Sequence, residues 1–273
     1  MALEPVAIPG QAAAVEGMAD VGDAKLHYWD TGGPGDAIVL CHPASQSSQI
    51  WLYQQPVLAA AGYRVVAYSR RGVHRSQAGS KDTRATTVAD LGRLLDGLGI
   101  AKAHVLGAAA GGIAALGFAV AAPARVRSLV LAGTIFSPNE DEWRAMYGRL
   151  GLKAARAALT TDFLELGPSY RASHPAGVAR FLELEHQAKI GPPVSLPLGA
   201  DVTWSAITAA RVPTLLLTGE ADLYAPPPLQ ELVSRHMPVH EIATLREVGH
   251  APYWEAPEAF NRIVLEFLGR QGG

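Results

Sequence analysis

Apolar positions along the chain follow two alternating patterns. Residues 64–69 and 126–132 form short apolar runs, which are typical of strands buried on both faces of a sheet. Between residues 87 and 98 the apolar residues recur at steps of three and four, and Thr86 or Thr87 can cap the start of this helix. Strands that alternate with helices predict an α/β fold with a doubly wound, mostly parallel sheet.

The remaining elements of the sheet layer are predicted in the same way. Residues 24–30 and 37–42 are strand-like and flank the turn residues Thr31 to Gly35, so we expect a β-hairpin there. Further strands are predicted at 104–107, 214–218 and 241–248, and further helices at 108–122 and from Pro257 onward.

The interval between the strands at 126–132 and 214–218 is too long for a connecting loop. It contains helical patterns at 141–150, 153–164 and 177–189. We therefore expect residues 137–200 to form a helical cap, inserted into a core made of residues 1–136 and 201–273. In open α/β sheets ligands bind at the carboxyl edge of the strands, so a cap over that edge would shape an apolar pocket.

Composition and charge narrow the classes of partner. The 273 residues are 49% hydrophobic with a formal net charge of -2, and no block of Lys or Arg indicates nucleic acid. No apolar run is long enough to span a membrane, and the start of the chain lacks the basic region of a signal peptide. With Cys41 as the single cysteine, these features predict a cytoplasmic protein that binds a small-molecule substrate. The oligomeric state is left open, with a homo-oligomer as one alternative.

Three short segments could carry chemistry. Gly107-Ala-Ala-Ala-Gly111 lies between a predicted strand and helix, at the spacing of a G-x-S-x-G nucleophile elbow, with Ala109 at its centre. Taken alone, this segment is better explained as an Ala/Gly-rich turn between a strand and a helix. Asp222 follows the strand at 214–218, and His250 follows the strand at 241–248. Elbow, acid and histidine thus come in the order of a Ser-Asp-His hydrolase triad.

Four stretches together resemble the signatures of the α/β-hydrolase superfamily. They are HVLGAAAGG, LLLTGEADLYAPP, VGHAPYWEAPEAFNRIVLEFL and the run from Ser69 to Ser76, and they span about residues 22 to 268. The chain resembles capped members such as enol-lactonases and C–C bond hydrolases. The resemblance implies a hydrolase without cofactor or metal, in which His250 is the base and Asp222 orients it, with Glu220 as a weaker candidate for the acid.

The same resemblance implies an oxyanion loop at His42, Pro43 and Ala44. Backbone N–H groups of Ala44 and Ala110 would stabilise the oxyanion, and His42 and Ser45 would belong to the same oxyanion and substrate-binding group. Pro43 stands where the family has glycine, and proline lacks an N–H group.

Ala109 stands where the family carries its nucleophile, and a methyl group cannot attack a carbonyl. Either the chain is a natural variant, or it is a serine hydrolase inactivated by a Ser→Ala change. Pro43 and Ser69, which replaces the family's usual acid, are further departures and favour a natural variant. Our leading hypothesis is an enzyme that acts on a small carbonyl-containing substrate with a His250–Asp222 dyad. The alternatives are a lyase or cofactor-independent oxygenase that uses His250 as base, and a non-catalytic ligand-binding protein.

Overall fold

The structure is a computed structural model that describes residues 6–81, 83–192 and 194–271. Its strands are β1 (Val15–Asp20), β2 (Lys25–Asp30), β3 (Ala37–Cys41), β4 (Arg64–Tyr68), β5 (Ala103–Ala108), β6 (Val126–Ala132), β7 (Thr214–Gly219) and β8 (His240–Leu245). Its helices are α1 (Gln55–Ala60), α2 (Thr87–Gly97), α3 (Ala110–Ala121), α4 (Asp141–Gly148), α5 (Leu152–Ala158), α6 (Thr161–Glu165), α7 (Pro168–Ser173), α8 (Pro175–Ala188), α9 (Trp204–Ala210), α10 (Pro227–Ser234), α11 (Pro252–Glu255) and α12 (Pro257–Gly269).

The eight strands form one sheet in the order β1-β2-β4-β3-β5-β6-β7-β8. From β4 to β8 every neighbouring pair is parallel, whereas β1 and β2 are added antiparallel at one edge. The α/β class with a mostly parallel sheet is therefore confirmed. Among the described residues, no helix is both long and apolar enough to cross a bilayer.

Hydrophobic clusters cover both faces of this sheet. In β7, Leu216 packs into one cluster, while Leu215 and Leu217 pack into the other, as the alternation of side chains along a strand requires. All six residues of β7 are buried. Burial on both sides explains why the central strands appear in the sequence as continuous apolar runs rather than as alternating patterns.

The predicted hairpin between β2 and β3 is wrong. In the sheet β4 lies between these two strands, and the partners of β2 are β1 and β4. The turn residues after β2 do let the chain leave the strand, but β3 pairs in parallel with β4 and β5, which come later in the sequence. The actual hairpin joins β1 to β2, and β1 escaped prediction because most of its residues are exposed and show no apolar run.

In the described part of the chain, the segment between β6 and β7 contains six helices, α4 to α9, of which α4 to α8 lie within residues 137–200. The single helix expected at 153–164 is two helices, since Thr160 is extended (φ -75°, ψ 159°) and separates α5 from α6. The helix expected from residue 177 begins earlier, at Pro175, because proline fits the first turn of a helix.

Close backbone packing shapes the turn between β5 and α3. A Cβ on Gly111 would collide with the carbonyl oxygen of Cys41, at the end of β3. A Cβ on Gly107 would lie 2.5 Å from the carbonyl oxygen of Gly111. Because both neighbours are backbone atoms, neither can move aside, and only glycine fits.

We expect Gly111→Ala to destabilise the protein by about 1–3 kcal/mol or more, since the added methyl group overlaps a fixed carbonyl. Gly97→Ala is the matched control, because a Cβ there meets nothing within 4 Å and the residue lies on a helix. That variant should be unchanged or stabilised by about 0.4–1 kcal/mol. Urea unfolding of both variants measures the difference, and equal stabilities would contradict the packing argument.

Candidate active site

Ala109 occupies a strained turn between β5 and α3. Its φ of 50° and ψ of -115° are values that a residue with a side chain rarely adopts, at a cost of about 1–3 kcal/mol. Its N–H donates to the carbonyl of Ala132 at 2.9 Å. The geometry of a nucleophile elbow is thus present, with a methyl group in place of a nucleophilic side chain.

His250 and Asp222 lie together, as the sequence predicted for the acid and the base. The His250 Nδ1 is 2.8 Å from Oδ1 and 3.0 Å from Oδ2 of Asp222. A carboxylate can only accept, so Nδ1 carries the proton and Nε2 keeps its lone pair in the neutral ring. Glu220 is not in this contact; its carboxylate accepts instead from the N–H of Glu247 at 3.4 Å.

Asp222 is itself held by the turn after β7. Its Oδ1 accepts from the backbone N–H groups of Tyr224 and Ala225 at 2.8 and 2.9 Å, and its Oδ2 accepts from the Thr218 hydroxyl at 3.1 Å. These bonds fix the carboxylate and hold the imidazole in one orientation. Gly133, which follows β6, has a φ of 52° and packs closely against His250. A Cβ at this position would lie 2.6 Å from the carbonyl oxygen of His250, so only glycine fits beside the dyad.

Burial alone would lower the pKa of His250, but the Asp222 carboxylate outweighs it, so the pKa of His250 is raised above 6.5. The carboxylates of Glu165 and Glu255 act in the same direction. His250 therefore gains its proton more readily than an ordinary histidine, and a base here becomes neutral at a correspondingly higher pH.

A cavity of about 290 Å³ lies over Ala109 and His250. Ala44, Ser45 and Ala110 line it beside these two residues, and Ile135 and Tyr224 complete the wall from the sheet side. Three predicted members of the oxyanion and substrate-binding group, Ala44, Ser45 and Ala110, thus meet the predicted base in one cavity. Ala110 is the first residue of α3, where backbone N–H groups lack helical partners.

His42 and Pro43 lie behind this cavity rather than in its wall. The His42 Nδ1 donates to the carbonyl of Pro43 at 2.7 Å, and its Nε2 accepts the N–H of Arg70 at 3.0 Å. Burial holds the pKa of His42 well below 6.5, and the charge of Arg70 adds to that effect. His42 is therefore a neutral residue that fixes the loop, and the loop keeps an ordered turn despite Pro43.

Glu165, at the end of α6, is a cavity residue that the sequence did not single out. Its Oε2 accepts from the Ser45 hydroxyl at 2.7 Å, and its backbone carbonyl accepts the N–H of His250 at 3.0 Å. These contacts bring the segment between β6 and β7 against the loops that carry Ser45 and His250. No sequence motif surrounds Glu165, so only the tertiary structure identifies it.

Four aromatic residues of that segment lie outside this cavity. Trp143 and Tyr147 stack on each other with ring centroids 4.7 Å apart, and Tyr170 and Phe181 join a hydrophobic cluster. None of these four residues lines the cavity over Ala109.

Glu255 is a second residue whose role the sequence did not reveal. Its buried carboxylate accepts N–H groups from Gly249, Gly167 and Ala251 at 2.8–3.2 Å. The Glu255 side chain therefore links the start of α7 to the two residues that flank His250. Burial is the main cause that raises the pKa of Glu255 to about 7, and the charge of Asp222 acts in the same direction. The three N–H groups have the opposite effect and lower the pKa.

Comparisons with known proteins agree with this geometry. The model of the Alpha/beta hydrolase family matches residues 38–263. A Variovorax paradoxus (strain S110) protein provisionally named carbamate hydrolase RutD is 32% identical over 266 residues, which cover 90% of this chain and 96% of that protein. The 2-hydroxy-6-oxononadienedioate/2-hydroxy-6-oxononatrienedioate hydrolase of Burkholderia vietnamiensis (strain G4 / LMG 22486) is 28% identical over 271 residues, or 91% of this chain and 92% of that protein.

Solved structures show the same fold. The enol-lactonase from Burkholderia xenovorans LB400 superposes with a TM-score of 0.74 at 23% identity, covering 93% of this chain and all of that one. A thermophilic esterase from Thermogutta terrifontis gives a TM-score of 0.75 at 24% identity, covering 96% of this chain and all of that one.

We expect the stability of the native protein, relative to Glu255→Gln, to fall as pH rises from about 4.5 to 7. The raised pKa means that the folded state binds this proton more tightly than the unfolded state, whose value is near 4.5. A shift of this size corresponds to about 2–3 kcal/mol across that window. Urea unfolding at several pH values measures it.

Glu258→Gln serves as the control, since this exposed carboxylate lies three residues further along the chain. The free energy of unfolding of Glu258→Gln should change with pH in the same way as that of the native protein. A constant difference between native protein and Glu255→Gln would contradict the assigned titration.

Proposed function

Because the chain is an enzyme of the α/β-hydrolase family, we propose that it hydrolyses a small carbonyl-containing substrate with water activated directly by His250. The substrate is an ester, a lactone or a ketone cleaved at a C–C bond. One observation carries the proposal: the imidazole bonded to Asp222 faces a cavity in which the nucleophile's place holds a methyl group.

The proposed reaction proceeds in two steps without an acyl-enzyme. Nε2 of His250 takes a proton from water while the water oxygen bonds to the substrate carbonyl carbon. Asp222 stabilises the resulting imidazolium, and the N–H groups of Ala44 and Ala110 stabilise the oxyanion. The bond to the leaving group then breaks, and the imidazolium returns the proton to that group.

The relatives support this substrate class. The two similar proteins are named as a carbamate hydrolase and as a hydrolase of a 6-oxo dienedioate, and both named compounds contain a carbonyl group. We further propose that residues 137–200 act as a cap, since Glu165 contacts both Ser45 and His250. A cap in this position would exclude bulk water and strengthen the electrostatic interactions within the site.

We expect His250→Ala to lower kcat/KM by about 10²–10⁴-fold on a substrate that the native chain hydrolyses. A panel of p-nitrophenyl esters, lactones and vinylogous diketones identifies that substrate. In the native protein kcat/KM should fall as pH decreases through a midpoint above 6.5, because the base is lost when the raised pKa of His250 is crossed.

His186→Ala is the matched control, because this histidine is exposed on α8. It should keep native rates and the native pH profile. Ligand binding without turnover across the whole panel would favour a non-catalytic binding protein and overturn the proposed hydrolysis.

We expect Ala109→Ser to create a reactive nucleophile, since the elbow backbone and its glycines are already in place. A fluorophosphonate probe should label Ala109→Ser and leave the native chain unlabelled, as read by mass spectrometry. The double variant Ala109→Ser/His250→Ala should lose the label, because no base remains to activate the serine. Labelling of the native chain would reveal another nucleophile, with Ser45 the first to test, and would contradict direct attack by water.

A further inference from the structure

A second cavity, of about 260 Å³, adjoins the catalytic one. Ala44 lines both, so the two spaces lie on either side of this residue of the proposed oxyanion loop. The wall of the second cavity contains Arg70, Arg71 and Asp90, with Tyr68 at its inner side and Ser195 exposed at its rim. The hydrolysis proposed above makes no use of this space.

Among the residues that the structure describes, Arg70 lacks a counter-ion. Its Nη2 donates to the carbonyl of Pro43 at 3.1 Å, and its Nε is shielded from solvent and makes no hydrogen bond with the described residues. No carboxylate in the described part of the chain forms an ion pair with it. Burial lowers the pKa of Arg70, yet a guanidinium stays charged at any pH at which the protein folds.

The adjacent Arg71, in contrast, is fully paired with carboxylates. Its Nε and Nη2 bind the two oxygens of Asp90 at 2.6 and 3.0 Å, and its Nη1 binds Asp23 at 2.8 Å. Asp90 also lines the second cavity, but this two-point pairing neutralises its charge. The net charge presented to the cavity by these three residues is therefore the positive charge of Arg70.

Arg70 is partly shielded from solvent, and a cation drawn partly out of water is stabilised by an anionic partner. An anionic ligand would supply the missing partner. The guanidinium offers planar N–H donors, of which Nη2 is used by the carbonyl of Pro43 and Nε is shielded from solvent, so Nη1 is the donor left for a ligand carboxylate.

We propose that Arg70 binds a carboxylate of the substrate, so that the chain acts on a carbonyl compound whose other end is a carboxylic acid. This inference rests on the proposed hydrolysis for the position of the reacting carbonyl. That carbonyl lies in the cavity of His250, and the chain of the substrate passes Ala44 to reach Arg70. Specificity then comes from a partly exposed arginine just after β4.

Binding to a matched series of ligands tests the proposal. Isothermal calorimetry compares monomethyl glutarate, which has one carboxylate and one ester, with dimethyl glutarate, which has no charge. Measurements in His250→Ala keep both esters intact, and those in the native protein are corrected for any ester hydrolysis. We expect monomethyl glutarate to bind about 10- to 100-fold more tightly than dimethyl glutarate, the range expected of a charged hydrogen bond. The preference should weaken as salt is added.

Arg70→Met should remove this preference, and Arg70→Gln, which keeps an N–H donor for Pro43, should remove it as well. Arg75→Met is the control, because this arginine is exposed and pairs with Glu16 at the surface. It should keep the native preference. Should both Arg70 variants fail to fold, the acid-to-ester ratio of the native chain and its salt dependence still decide.

Equal binding of the acid and the diester by the native chain, or an unchanged preference in a folded Arg70 variant, would overturn the role of Arg70. Absence of turnover with the acid preference intact would instead overturn the hydrolysis and leave the carboxylate site standing. Turnover without a preference for the acid would overturn the carboxylate site and leave the proposed hydrolysis standing.

Discussion

The close contact between the start of α3 and the end of β3 determines the rest of the site. Gly111 lies against the carbonyl of Cys41 with no room for a side chain, so the helix begins beside the loop that follows β3. That approach places Ala44 and Ala110 in the wall of one cavity and forces the backbone of Ala109 to a positive φ. Two parallel strand ends and one helix start therefore create the geometry of the proposed oxyanion site before any reactive side chain is considered.

Carboxylates then assemble the other half of the site around that frame. Asp222 fixes the ring of His250, Glu255 binds the backbone on both sides of the same histidine, and Glu165 reaches it from the segment between β6 and β7. Three acidic residues around one imidazole raise its pKa together, which suits a ring that holds a proton during the proposed reaction. The opposite environment surrounds His42, where burial and Arg70 keep the ring neutral.

The sequence predicted those features that depend on local pattern. The buried strands β4, β6 and β7 appear as apolar runs, and the order of elbow, Asp222 and His250 identified the partners that the structure brings together. The order of strands in the sheet was not predictable in the same way, because pairing between β3 and β5 joins distant parts of the chain. For this reason the hairpin assigned to β2 and β3 was wrong.

The sequence pattern also did not identify residues whose role depends on a contact with a distant part of the chain. Glu165 lies in a segment without a motif and becomes significant only through Ser45, 120 positions earlier. Arg70 and Arg71 are neighbours of the same type, and nothing in their sequence separates them. Their different partners arise because Asp90 and Asp23 approach one guanidinium and not the other.

The Glu255 carboxylate also couples folding to the uptake of a proton from the buffer. With a pKa of about 7 in the folded chain and a value near 4.5 when exposed, this group is almost fully ionised in the unfolded protein at neutral pH. Folding at pH 7 therefore takes up about half a proton at this site alone. The heat of folding consequently includes the ionisation enthalpy of whatever buffer supplies that proton, and the calorimetric enthalpy differs between phosphate and Tris at the same pH and the same stability.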